Sequence, residues 1–266
     1  MNKMFLETIK RLPVKLTSTL LLASTVILLP MVFIISSATA GTVDRIESSA
    51  GDIMIHPVTH ASIVITTKNK SIFVDPVGEA SLYKSFPKPD LILLTDIHGD
   101  HLNPATIQAV KTDMTLIVGP KAVADKLTGV TVIQNGDRSI RAGIVLEAVP
   151  MYNITKERKK FHPMGRGNGY IMTLNSKRIY ISGDTEDIPE MKNLKNIDAA
   201  FVCMNLPYTM DETRAASAVL AFKPGIVYPY HFRGKKEGQP FFHDVKKFKS
   251  IVDANKAIDV RLLNWY

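Results

Sequence analysis

The chain has 266 residues, 45% of them hydrophobic and 22% charged, which is long enough for one large globular domain and normal in composition for one. Its formal charge of +8 comes from scattered lysines that do not alternate with aromatic residues, which argues against a nucleic-acid surface and leaves attraction to an anionic substrate or surface. The single cysteine, Cys203, excludes an internal disulfide and a thiolate cluster for zinc, and its apolar neighbours mark it as a core position.

Lys3, Lys10, Arg11 and Lys15 precede an uncharged stretch, residues 16–35, that ends in the small residues Ser36-Ser37-Ala38-Thr39-Ala40. A basic leader, an apolar run and an Ala-x-Ala ending predict a signal peptide over residues 1–40, cleaved after Ala40. The apolar run is longer than a usual signal core, so an uncleaved anchor over 16–35 is the alternative, associating the protein with the membrane through its N-terminus. On both readings residues 41–266 are exported, to a periplasm or the extracellular side.

Ala61 to Thr67 and Ser71 to Val74 read as paired strands around Lys68-Asn69-Lys70. Leu91 to Leu94 is a buried strand, and Asn103-Pro104 opens a helix with a capping Asn and a first-position Pro. A strand at Leu116 to Val118 precedes a helix from Pro120 to about Leu127, and further strands fall at Val130 to Ile133 and Gly143 to Val149. Asn153 to Gly169 is charged and poor in core residues, a loop beside the site. Gly169 to Leu174 and Arg178 to Ser182 form a hairpin. Then come a strand at Ala199 to Met204, a helix at Asp211 to Phe222, a strand at Gly225 to Tyr230, an amphipathic helix at Phe241 to Ala254 and a closing strand at Val260 to Leu263. This order of β-rich and β/α stretches predicts an α/β fold, two sheets face to face with helices outside, in one domain.

The most informative stretch is Thr95-Asp96-Ile97-His98-Gly99-Asp100-His101, which follows the strand at Leu91 to Leu94. Two carboxylates and two imidazoles crowded at a strand end are costly to bury unless a cation offsets their desolvation. Asp75, His162, Asp184 and His231 add metal-capable groups at strand ends or in the loop, on the rim where α/β sheets bind ligands.

In this order the residues resemble the metallo-β-lactamase superfamily. Ala61 to Pro76, Gly183-Asp184-Thr185 and Pro229-Tyr230-His231 resemble its branch related to ascorbate-6-phosphate lactonase and to N-acylphosphatidylethanolamine-hydrolysing phospholipase D. The resemblance spans His60 to His231 and implies a single-domain αββα four-layer sandwich over residues 41–266. It carries over His98, Asp100, His101, Asp184 and His231 directly. Where the family motif begins with His, this chain has Asp96, and His162 is the one histidine available to complete the first metal site.

The resemblance implies two divalent ions. Asp96, His98 and His162 would hold one, Asp100, His101 and His231 the other, and Asp184 would bridge them around a shared hydroxide, making Asp100 and Asp184 the catalytic carboxylates. With three carboxylates and a hydroxide, two divalent ions leave no net charge, whereas His at position 96 would leave one positive charge. The expectation is a less acidic bound water and a shift from zinc toward manganese or iron. His60 and Asp75 are expected to orient ligands, with His60 alternatively touching substrate. Tyr208, Tyr230, Arg233 and Arg166 are candidate substrate contacts, and His56 and His243 surface or packing residues.

The implied function is an exported metal-dependent hydrolase of an ester, lactone, amide or phosphodiester, acting on a small-molecule or lipid-derived anionic substrate. The alternatives are a metal-binding or interaction protein that keeps the fold without turnover because of Asp96, and a two-iron oxidoreductase. The sequence leaves the oligomeric state open.

Overall fold

Apolar side chains occupy consecutive positions in the first strands, and the two faces of each strand enter different cores. In β3 (Ser62–Thr66), Ile63 and Ile65 join one cluster and Val64 the other; in β4 (Ser71–Val74), Ile72 and Val74 face away from Phe73. β5 (Leu91–Leu93) and β6 (Leu116–Gly119) repeat the pattern, as expected of strands covered on both sides. The computed structural model describes residues 43–266, so the expected signal peptide at 1–40 and the anchor at 16–35 lie outside the described residues. Among the described residues no helix is long and apolar enough to cross a membrane.

The first sheet runs in chain order, from β1 (Asp44–Ile46) and β2 (Ile53–Thr59) through β3, β4, β5 and β6 to β7 (Val130–Val132). β1 to β4 are antiparallel and β4 to β7 parallel. The second sheet contains β8 (Arg138–Arg141), β9 (Ile144–Met151), β10 (Gly167–Leu174), β11 (Lys177–Ile181), β12 (Ala199–Cys203), β13 (Ile226–Tyr230) and, beyond a separate hairpin, β16 (Asp259–Val260). Its plan repeats that of the first sheet: antiparallel from β8 to β11, then parallel through β12, β13 and β16.

The helices α1 (Pro104–Val110) and α2 (Lys121–Ala124) pack on the outer face of the first sheet through Ile107, Val110 and Val123. On the second sheet lie α3 (Pro189–Lys192), α4 (Glu212–Phe222) and α5 (Val245–Val252), which bury Met191, Val219, Phe222, Phe248 and Val252. The result is the expected αββα sandwich in one domain. Helix starts follow their caps: Asn103 accepts from the backbone N–H groups of Ala105 and Thr106, and Asp211 from that of Arg214.

The expected helix at Phe241 to Ala254 is shorter. Asp244 caps it by accepting from the N–H groups of Lys246 and Lys247, so α5 begins at Val245. Phe241 and Phe242 belong instead to a two-stranded hairpin, β14 (Arg233–Lys236) with β15 (Gln239–Phe242). Glu237 and Gly238 at its turn both have positive φ, as a tight two-residue hairpin turn requires. Gly234 lets this hairpin lie against the Leu206 carbonyl, where a Cβ would collide. The helix expected from Pro120 to Leu127 is likewise trimmed to α2.

Candidate metal centre

The parallel strands aim their C-terminal ends at one rim, and the site is assembled there from both sheets. From the first sheet come Asp75 after β4 and Asp96 to His101 after β5. The second contributes His162 from the β9–β10 loop, Asp184 after β11 and His231 after β13. His60, Asp75 and His231 have φ of 52°, 43° and 48°, left-handed values that non-glycine residues rarely adopt. Such conformations persist where surrounding contacts over-determine them, and they gather at functional sites.

His101 is fully buried and held by Asp75, whose Oδ2 accepts from its Nδ1 at 2.8 Å. The same oxygen accepts from the Thr95 hydroxyl at 2.6 Å, and Oδ1 accepts from the Thr95 backbone N–H at 2.8 Å. With Nδ1 donating to Asp75, the Nε2 atom of His101 turns into the site. It faces His231 Nε2 at 3.1 Å and lies 3.5 Å from Asp184 Oδ2. His231 Nε2 is also 3.3 Å from Asp184 Oδ1 and 3.5 Å from Asp100 Oδ2, and Asn205 lies 3.0 Å from its Nδ1. His60 donates from Nε2 to Asp100 Oδ2 at 3.0 Å and meets the Tyr266 hydroxyl at 2.7 Å through Nδ1.

His162 reaches the same place from the loop. Its Nε2 is 3.1 Å from Asp184 Oδ2 and 3.8 Å from Asp96 Oδ2. Asn153 Nδ2 lies 3.2 Å from its other ring nitrogen and donates to the Tyr208 and Arg158 carbonyls. Asn153 thus stands behind His162. The loop is anchored by buried Glu186, which accepts from the N–H groups of Ile154 and Thr155 and pairs with Arg158 and Arg214.

The donor set fits divalent ions. His101, Asp184 and His231 form one group of ligand atoms within 4.8 Å of one another, His60, Asp100 and His231 a second, and Asp96, His98 and His162 a third. Buried His162 Nε2 and Asp184 Oδ1 have no hydrogen-bond partner, a costly state that a cation between them would relieve. The electrostatics agree. Burial alone would raise the Asp184 carboxyl, but His231, His101 and His162 hold it well below the usual carboxylate range. Burial likewise opposes charge on His101, yet Asp184 and Asp75 raise its imidazolium well above the ordinary value. In His60, burial and the neighbouring His231 push the imidazolium down to about 4, leaving it neutral.

The candidate substrate contacts divide. Arg233 and Tyr208 line the cleft above the site. Tyr230 is buried in the core against Phe201 and Trp265, its ring belonging to the sheet interior because alternate β13 side chains point there. Arg166 does not reach the cleft wall: its guanidinium grips Asp96, with Nε 3.1 Å from Oδ1 and Nη2 2.9 Å from Oδ2. The pairing offsets the Asp96 charge, on which the expectation of a less acidic water rested. His56 packs on Phe86 and His243 bonds Glu212, neither near the site.

The β-lactamase superfamily domain profile matches residues 54–231. The chain belongs to this family. A UPF0173 metal-dependent hydrolase of Pyrococcus abyssi is 30% identical over 207 residues, covering 73% of this chain and 89% of that protein. The crystal structure of a candidate metal-dependent hydrolase from Parabacteroides distasonis matches with a TM-score of 0.75 and 41% identity, over 84% of this chain and 98% of that one. Igni18, a metallo hydrolase from Ignicoccus hospitalis, shares the fold, with a TM-score of 0.65 at 20% identity over 79% of this chain and 94% of its own. The protein is therefore a metal-dependent hydrolase of the metallo-β-lactamase superfamily.

Proposed function

We propose that this hydrolase cleaves an ester, lactone, amide or phosphodiester in a small-molecule or lipid-derived substrate that carries negative charge and an apolar portion. The cleft that opens on the site carries this reading. It holds about 550 Å³, with His60, His98, Asp100, His162 and Asp184 on its floor. Arg233 and Lys235 supply positive charge at its wall, beside the apolar surfaces of Phe161, Tyr208, Pro240 and Phe242. A cleft of this size takes a compact ligand, and the two kinds of wall select an anionic group next to a hydrophobic one.

A divalent ion held by Asp100, His101, Asp184 and His231 would polarise the scissile carbonyl or phosphoryl oxygen and acidify a water. The protein's own residues do the rest. Asp75 fixes the His101 tautomer, and His60 fixes Asp100 through Oδ2. Asp100 is the solvent-facing carboxylate, with 39% of its side chain exposed against 4% for Asp184 and none for Asp96. It is therefore the group able to take a proton from the attacking water and pass it to bulk solvent. Arg233 draws the anionic group into the cleft, and the β14–β15 hairpin narrows the entrance. Export, by signal or by anchor, is part of the proposal and rests on residues 1–40.

The test is turnover of an ester, lactone, amide and phosphodiester panel by protein loaded in turn with zinc, manganese or iron(II). Hydrolysis lost with a chelator and in Asp184→Ala is the expected result. Stoichiometric metal without turnover across the panel would sink the substrate reading and favour the binding protein.

A further inference from the structure

Asp96, His98 and Arg166 satisfy one another. Asp96 is fully buried, and both its oxygens are taken by the Arg166 fork. Its Oδ2 also lies 2.8 Å from His98 Nδ1, while Arg166 Nη2 is 3.3 Å from the other His98 nitrogen. Arg166 Nη2 donates in addition to the Phe161 carbonyl, which fixes the guanidinium from behind. Across the site, buried Asp184 Oδ1 is unpartnered and the Nε2 atoms of His101 and His231 converge on Asp184, whereas of Asp96, His98 and His162 only His162 keeps an unpartnered ring nitrogen. Two of the three ligand residues on the Asp96 side are thus taken up by their pairing with Arg166, and the Asp184 side is open for a cation.

We propose that the Asp96–Arg166 pair stands where the family carries a neutral ligand and makes the centre unequal: one ion is held tightly by Asp100, His101, Asp184 and His231, and the Asp96–His98–His162 half binds a second only weakly. A second ion there must break a bidentate, desolvated ion pair or share its carboxylate with a guanidinium. It must also sit within a few ångströms of that fixed positive charge. Arg166 is a positioning residue in this scheme, acting through Asp96 and His98. The proposal rests on the metal-dependent reading and concerns how many ions that reading requires.

Equilibrium dialysis of the full protein against buffered zinc and then manganese, read by elemental analysis, tests it without reference to activity. Wild type is expected to retain one ion per chain at free-ion concentrations that saturate the first site. Arg166→Gln is expected to gain a second, its affinity rising by about tenfold or more. Arg166→Lys, which keeps the charge, is expected to stay near one. A measurement on wild type alone guards against misfolded variants. The magnetic resonance spectrum of the manganese form should show isolated ions, without exchange coupling, when the first site is full. Two equally tight ions with a coupled spectrum, or a folded Arg166→Gln that gains nothing, would overturn the proposal and leave metal dependence standing. Wild type that retains no ion would overturn both.

Discussion

Asp75 does not face the cleft, yet replacing it with Asn should disable the centre. Its carboxylate accepts three hydrogen bonds and donates none: the Thr95 backbone N–H at 2.8 Å, the Thr95 hydroxyl at 2.6 Å and His101 Nδ1 at 2.8 Å. An Asn side chain has only one acceptor oxygen. If that oxygen serves the Thr95 N–H, the new NH₂ faces His101 Nδ1, which must give up its proton to accept. The proton then sits on Nε2, the atom that should bind the ion. If the amide is reversed, two N–H groups oppose each other at Thr95 in a fully buried position, at a cost of about 1–3 kcal/mol of stability. Loss of the partner of a metal-binding histidine typically weakens metal by about 10- to 100-fold, or roughly 1.4–2.8 kcal/mol. Isothermal titration with zinc, beside a thermal melt of the metal-free protein, separates the two branches. Asp75→Asn with unchanged zinc affinity and an unchanged melting temperature would refute the tautomer argument.

The Glu186 carboxyl gives a pH test. Burial pushes it up, but bonds from Thr155 and Arg158 and the charge of Arg214 outweigh this and bring it from 4.5 down to about 2. A depressed carboxyl stabilises the fold fully above pH 4.5 and loses that contribution as pH falls toward 2. Glu186→Gln is thus expected to be less stable at neutral pH, by on the order of 2 kcal/mol. Denaturant melts at pH 7 and pH 3 should show that gap narrowing in acid. Because His101 holds a proton above its ordinary range, an arriving ion must displace it. Zinc affinity should therefore fall on acidification, by up to about tenfold per pH unit for one proton, and a titration between pH 8 and pH 6 checks it. Arg233→Ala is expected to raise KM for anionic substrates several-fold with little change in kcat, and to leave KM for uncharged ones alone; steady-state kinetics on matched pairs would show it.

The sandwich was legible because its strands obey a local rule. Continuous apolar runs such as Leu91 to Leu94, bounded by polar turns, have few other places to go. The repeated plan of the two sheets showed in the order of β-rich and β/α stretches and not in any repeated motif, since matching topology does not require matching residues. At the site, every anticipated ligand comes to the rim, including His162 from a loop without regular structure. Pairing over long sequence distances is not legible in the same way. Arg166 meets Asp96 across 70 residues and Tyr266 meets His60 across 206, and nothing near either residue announces its partner. The β14–β15 hairpin was hidden for another reason. Phe241 and Phe242 extend the helical pattern of α5 backwards, and only the Asp244 cap marks where the helix starts.

The candidate ligands come from two sheets that otherwise meet through oily side chains, so an ion bound at the rim would act as a rivet between the layers. Its removal should loosen that edge of the sandwich before the interior. Availability of metal would then govern how long the folded protein survives as well as how fast it works, with scarcity inviting proteolysis at the rim loops first.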